Sequence, residues 1–394
     1  MTTIAQSLLD AARDLAPETV RLRRQIHQCP ELLYEVPKTA ALVAQELTAL
    51  GLEVQTGVGR SGVVGLLRGG PGKTVLLRAD MDALQITETG DIPYKSQNPG
   101  LMHACGHDGH TAMLLSAAKL LSTQRDRVHG AVKFMFQPAE EGGQGALRMI
   151  EDGVLENPKV DAVFALHVDP MYYAGELAIR TGPTQASADR FGITIHGKGG
   201  HAGYPHHTVD PVLVASHVVI ALQSIVSRET PPWSPAVLTI GKISAGTINN
   251  VIPDEAIILG TMRTFDPEVR EFMQRRIREV AEGVASAMRA RAVVVPQEGC
   301  PPLINNPASV QLVRDALREF TGAEGMYERE PEMGGEDFAF LTELAPGAMW
   351  RLGVRNRSWQ QPRSLHTADF DLDESALPLG VATLAATAIH YLES

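Results

Sequence analysis

The chain has 394 residues, 44% of them hydrophobic and 21% charged, with a formal net charge of −11. Such a composition buries sizeable cores, and the length suits two to three domains of ordinary size. The acidic balance argues against nucleic acid or an anionic membrane as partner, because either needs a basic face.

The N-terminal stretch "MTTIAQSLLDAARDLAPETV" mixes acids with apolar residues and does not read as a signal peptide. "TAALVAQELTAL" has helical spacing and stops at Gly51. "GVVGLLRGG" and "KTVLLRAD" are short apolar runs ending in turn or polar residues, as strands do. "TAMLLSAAKLLST" reads as a helix, "GAVKFMFQ" as a strand and "GGQGALRMIEDG" as a short helix. "VDAVFALHV" and "GELAIRTG" read as further strands. Apolar runs alternating with helices predict an α/β domain with a largely parallel sheet.

After "TGPTQASA" the pattern changes. A strand ("FGITIHGKGG"), a long helix, two paired strands ("AVLTIGKISAG" and "EAIILGTMRTF"), a second long helix and the strand "RAVVVP" follow in order. This β-α-β-β-α-β order predicts a ferredoxin-like α+β unit inserted at 186–300, with residues 1–185 and 301–394 forming the main domain. "VQLVRDALREF", "DFAFLTEL", "AMWRLGV" and "ALPLGVATLAATAIHYL" complete that domain. No apolar stretch reads as an uninterrupted membrane span. Three widely spaced cysteines, Cys29, Cys105 and Cys300, do not suggest a disulfide framework, and the expected location is cytoplasmic.

Sites in open α/β sheets form beyond the carboxyl ends of strands. Here several predicted strand ends turn polar at once: Asp80 and Asp82, Glu140 and Glu141, His167 and Asp169. The loop "MHACGHDGHT" adds Cys105 and His107 just before a helix, and "SLHTADF" adds His366. Several such ends, loaded with His, Cys, Asp and Glu, point to a coordination shell. Asp108 is placed to cap the helix that follows. His103 and His110 read equally well as structural histidines. Glu140 and Glu141 are adjacent, so on an extended segment they point apart, one to a metal and one to water as general base. The rival reading makes Cys105 a thiol nucleophile, which needs a base and an oxyanion hole and leaves the other polar ends without a task. A thiolate shared between two cations uses them all.

In the inserted unit, His201 follows a glycine run in "HGKGGHAGYPHH". His196 reads as structural, His206 and His207 as exposed, and His217 as packed on an apolar helix face. Arg263 follows a strand and suits a substrate carboxylate or a surface salt bridge.

In order, "HACGHDGHTAMLL", "FQPAEEGGQGA", "ALHVDP", "GKGGHAGYPH", "NVIPDEA", "GTMRTFD", "MGGEDFAF" and "LHTADFDLDE" resemble the metal-dependent amidohydrolases of the aminoacylase/carboxypeptidase superfamily. The similarity is to the subfamily of hippurate hydrolases, N-acyl-amino-acid amidohydrolases and auxin–amino acid conjugate hydrolases. It implies two divalent metal ions (zinc, manganese, cobalt or nickel) with Cys105 as shared ligand and His107, Glu141, His167 and His366 completing the shell. It implies Glu140 as general base and His201 as a lid-domain donor to the oxyanion. Asn250 and Arg263 would hold substrate polar groups, and Asp82 would orient a metal-bound histidine. The implied substrate is a small N-acyl amino acid, with deacetylation of an N-acetyl-diaminopimelate type or exopeptidase action as alternatives; a non-catalytic metal- or ligand-binding protein of this fold is the reading of another class, against which the presence of both the shell and the base speaks. The implied assembly is a homodimer or homotetramer.

Overall fold

The computed structural model describes residues 4–321 and 325–394, and the chain forms two units. Helices α1 (Ile4–Asp14), α2 (Ala16–His27) and α3 (Pro37–Ala49) come first. Strands β1 (Glu53–Val58), β2 (Gly62–Arg68) and β3 (Lys73–Asp80) follow. Then come α4 (His107–Thr123), β4 (Gly130–Gln137), α5 (Gly145–Glu151), β5 (Ala162–Tyr173) and β6 (Leu177–Ile179). The smaller unit carries β7 (Gly182–Gln185), β8 (Asp189–His196), β9 (Gly200–His201), α6 (Pro211–Ser224) and β10 (Ala236–Ala245). It continues with β11 (Val251–Ile252), β12 (Glu255–Thr264), α7 (Pro267–Ala287) and β13 (Arg291–Gln297). The chain ends with β14 (Leu303–Asn305), α8 (Pro307–Thr321), β15 (Tyr327–Glu328), α9 (Ala339–Leu344), β16 (Gly347–Arg355) and α10 (Leu377–Glu393).

The larger unit is built on an eight-stranded mixed sheet of order β1-β2-β4-β3-β5-β16-β6-β15. Its centre, β4-β3-β5-β16, is parallel. β4 is buried along its whole length and β16 along nearly all of it, as near-continuous apolar runs require when both faces are covered. Nearly every residue of α4 is buried too, and α10 packs on α1, α4 and α8. Trp350, Phe134, Phe136 and Phe164 fill the core without reaching solvent. The predicted α/β class holds.

The smaller unit is the expected β-α-β-β-α-β fold, an antiparallel sheet of order β10-β12-β8-β13 with α6 and α7 packed on it. Both helices start at an Asp-Pro pair. Asp210 accepts a hydrogen bond from the Val212 N–H at 2.9 Å, and Asp266 one from Glu268 at 2.8 Å. Proline at the first helical position gives up a donor the helix does not need. β12 alternates, with Ala256 and Ile258 inward and Ile257 and Leu259 exposed.

Three expectations need correction. The smaller unit spans Pro183–Leu303 and also takes Pro331–Ala339, which the sequence reading left in the main domain. Ala186 donates to the carbonyls of both Glu332 and Gly334 at 3.0 Å, tying that segment in. Two helical stretches, Pro211–Glu229 and Glu374–Glu393, are long and apolar enough for a membrane span by length and composition. Core packing accounts for the second, most of which is buried. The first buries Val214, Val218 and Leu222 and leaves Val212, Leu213 and Ile220 exposed. His217 lies on that exposed side and is not packed.

Candidate metal centre

The parallel strands β3, β4 and β5 bring their carboxyl ends to one edge of the sheet, with Asp80 opposite Gln137. The "HACGHDGH" loop enters α4 there. Gly106 makes the turn between Cys105 and His107 at φ 83°, and a Cβ at that position would stand 2.4 Å from Val168 Cγ2. Only glycine fits, in conformation and in space. His366, itself at φ 62°, is tied to the same loop by its N–H, which donates to the Ala104 carbonyl at 2.8 Å.

Hydrogen bonds fix the histidine tautomers. His107 Nδ1 lies 2.8 Å from the Asp82 carbonyl, and His167 Nδ1 lies 2.7 Å from the Val168 carbonyl. A carbonyl only accepts, so both rings carry their proton on Nδ1 and turn an Nε2 lone pair inward. His167 Nε2 is 3.7 Å from Cys105 Sγ, and His366 Nε2 is 3.3 Å from the same sulfur and 3.2 Å from Glu141 Oε1. His107 Nε2 is buried without a hydrogen-bond partner among the described residues. Donor atoms of Cys105, His107 and His167 lie within 4.8 Å of one another, as do those of Cys105, Glu141 and His366. Two cation positions sharing one sulfur fit this donor set. Thiolate and imidazole suit zinc, cobalt or nickel, and the carboxylate also admits manganese.

Burial pushes the Cys105 thiol up to about 12, with the Glu141 charge adding to it. That is the reverse of an activated thiol nucleophile, which needs a stabilised thiolate. Burial also keeps His167 neutral, with Arg351 adding to the effect. Burial raises Glu141 as well, but His366 and His107 outweigh it and hold the carboxyl below its ordinary value.

Glu140 and Glu141 do not sit on an extended segment. They form a turn in which the Glu140 and Glu141 N–H groups donate to the two oxygens of Asp82 at 3.0 and 3.1 Å. One buried carboxylate therefore collects the backbone of both, and donor atoms of Glu140, Glu141 and His107 stay within 4.8 Å. Gly145 closes the turn where a Cβ would lie 1.6 Å from the Pro138 carbonyl oxygen.

Asp108 does not cap α4. It joins a buried ionic network with Arg23 Nε at 2.7 Å and His27 Nδ1 at 2.8 Å, and His27 Nε2 reaches Glu88 at 3.2 Å. Periodicity and spacing carry no signal for such long-range pairs. Burial lowers the His27 pKa, but the Asp108 charge and the bonds to Asp108 and Glu88 outweigh it and raise it to about 8, from an ordinary 6.5. A raised pKa contributes stability that is complete below pH 6.5 and lost as pH rises through 8. The difference corresponds to about 2 kcal/mol. Unfolding free energies at pH 6 and 9 should therefore diverge by about that much more in the native chain than in His27→Gln. Equal pH dependence in the two would refute it. His103, beside this network, is buried with neither nitrogen hydrogen-bonded among the described residues, and burial drives it down to about 3.

In the smaller unit, His201 and Asn250 are brought together. β9 pairs with β11, and the Ala202 N–H donates to the Asn250 carbonyl at 3.1 Å. His201 is exposed, and its Nδ1 accepts from the Gly203 N–H at 2.9 Å, so its proton sits on Nε2. Arg263 is half-buried, and its Nη1 donates to Thr261 Oγ1 and to the Met262 and Asp189 carbonyls.

Residues 76–390 match the model of peptidase family M20/M25/M40. The chain is 42% identical to IAA-amino acid hydrolase ILR1-like 4 of Arabidopsis thaliana over 95% of this chain and 85% of that protein. It is 41% identical to N-acetyl-L-cysteine deacetylase of Bacillus subtilis over 96% of this chain and 89% of that one. A crystal structure of the Bacillus subtilis YxeP protein, described as a dinuclear metal-binding peptidase from the M20 family, superposes with a TM-score of 0.83. It is 33% identical, covering 97% of this chain and 99% of that one. The chain thus belongs to peptidase family M20/M25/M40 and is a metal-dependent amidohydrolase or peptidase of it.

Proposed function

We propose that the chain hydrolyses the amide bond of N-acyl amino acids, hippurate-like or N-acetylated, to a carboxylic acid and a free amino acid. The observation that carries this reading is the convergence of two donor groups on Cys105 with Glu140 beside them. Cys105, His107 and His167 would hold one divalent cation, and Cys105, Glu141 and His366 the other. When bound, the cations polarise the scissile carbonyl and acidify a water molecule. Glu140 takes the proton of the attacking water and passes it to the leaving amine. Asp82 holds the Glu140 and Glu141 backbone and orients His107. His201 offers its Nε2 proton to the developing oxyanion. Asn250 and Arg263 bind substrate polar groups, the guanidinium taking the carboxylate. Relatives named for N-acetyl-L-cysteine and IAA-amino acid conjugates support the substrate class.

The test is a panel of hippurate, N-acetyl amino acids, IAA-amino acid conjugates and free dipeptides. Chelated protein should be inactive and regain turnover with manganese, zinc, cobalt or nickel. Acyl amino acids should be cleaved in preference to dipeptides. Loaded protein that cleaves only free dipeptides overturns the substrate assignment.

We further propose a homodimer, or a homotetramer built from two of them. β10 ends its sheet, with Val237 and Ile243 exposed, and α6 exposes Leu213 and Ile220. A monomeric mass in solution would refute this part. We also propose a cytoplasmic location: among the described residues no disulfide joins Cys29, Cys105 and Cys300, which suits a reducing compartment.

A further inference from the structure

His110 stands three residues past His107 in the first turn of α4, yet it is no ligand. The Val168 N–H donates to its Nε2 at 2.9 Å, so that nitrogen has no lone pair to give. Its Nδ1 then carries the proton and donates to Asp80 Oδ1 at 2.6 Å. Asp80 is fixed in turn. Arg78 Nη1 donates to its other oxygen at 2.7 Å, and Thr111 Oγ1 donates to its carbonyl at 2.8 Å. All four side chains are buried. The peptide group that His110 grips joins His167 to Val168, and His167 Nδ1 is bonded to the carbonyl of that same Val168. The two imidazole rings also meet edge to face, with centroids 4.5 Å apart.

We propose that His110 is a positioning residue. Held by Asp80, it clamps the backbone at Val168 and so aims His167 Nε2 at Cys105. It thereby sets the affinity of the position formed by Cys105, His107 and His167, and not that of the position formed by Cys105, Glu141 and His366. This rests on the two-cation reading above. Its physical basis is that partners outside the ligand shell fix ring orientation, and losing one costs about 10- to 100-fold in metal affinity.

The experiment titrates metal-free protein with cobalt(II), by calorimetry and by the thiolate-to-cobalt absorption that reports Cys105. Native protein should show two sites. His110→Phe, which keeps a ring but no hydrogen bonds, should keep one site unchanged and weaken the other about 10- to 100-fold. His110→Gln places an amide oxygen where Nε2 accepts from Val168 and should recover most of the loss. His110→Asn reaches only Asp80 and should not, a contrast that remains readable if the Phe variant fails to fold. Because His110 acts through His167, His110→Phe combined with His167→Ala should bind as His167→Ala alone. Unchanged affinities in a folded His110→Phe, equal loss at both sites, or additive loss in the double variant would each overturn the proposal. Fewer than two sites in the native protein would instead overturn the two-cation reading, before any substitution is made.

Discussion

Replacing Glu140 by Gln should lower kcat by about 10²- to 10⁴-fold, the range expected on losing a general base, while both cations stay bound. The substitution keeps the size and polarity of the side chain and removes only its capacity to take a proton. It should leave the turn intact, because Asp82 holds Glu140 by its backbone N–H rather than by its carboxylate. KM should change little, since the lost interaction matters most as the proton moves. Steady-state kinetics with metal analysis of the same preparation checks both halves. Undiminished turnover would remove Glu140 as the base. Lost metal with the turn intact would show that Glu140 is a ligand and would exchange its role with that of Glu141.

The second large effect is on stability. Arg23→Met should cost the larger unit about 3–5 kcal/mol, as breaking a buried ion pair from one side does. Arg23 is fully buried and donates to Asp108, Asp371 and Glu374 at 2.7, 2.9 and 3.2 Å. Burial alone would lower its pKa, but those carboxylates outweigh it and hold the guanidinium firmly charged. Asp108, equally buried, is kept well below the ordinary carboxylate range despite its desolvation, by Arg23 first and then His27. Methionine fills the volume but leaves Asp108 and Asp371 short of their main counter-charge. Denaturant unfolding followed by tryptophan fluorescence reads mainly the larger unit, because Trp350 is buried there while Trp233 of the smaller unit is already exposed in the folded chain. A loss under about 1 kcal/mol would place Arg23 among the ion pairs that merely break even. Asp108→Asn in the Arg23→Met background should restore part of the loss, because it removes a charge that no longer has a partner.

Much of this architecture is legible in the residues. The apolar runs of β3, β4 and β5 end in polar groups, so the edge where Cys105, His107, Glu141, His167 and His366 gather could be located without coordinates. The β-α-β-β-α-β order of the smaller unit follows from the periodicity of its apolar residues. Other features depend on contacts that no local pattern encodes. Spacing alone sends Glu140 and Glu141 apart, whereas Asp82, 58 and 59 residues away, gathers both N–H groups into a turn. Asp108 has the position of a helix cap but is claimed by Arg23 and His27. His217 sits on an apolar helix face that points outward. His110 shows neither role nor partner in sequence, because its bonds run to Asp80 and Val168.

The strand order of the larger sheet also bears on how the protein is made. β16 lies between β5 and β6, although the whole smaller unit, Pro183–Leu303 with Pro331–Ala339, separates it from them in sequence. During vectorial synthesis, then, the four-stranded sheet of the smaller unit emerges complete while the larger sheet still has an open edge at β5. That edge is buried and apolar in the finished protein, and an unpaired edge of that kind invites wrong pairing. His366, proposed as a cation donor, leaves the ribosome later still, so the cluster it forms with Cys105 and Glu141 closes only after β16 has been made.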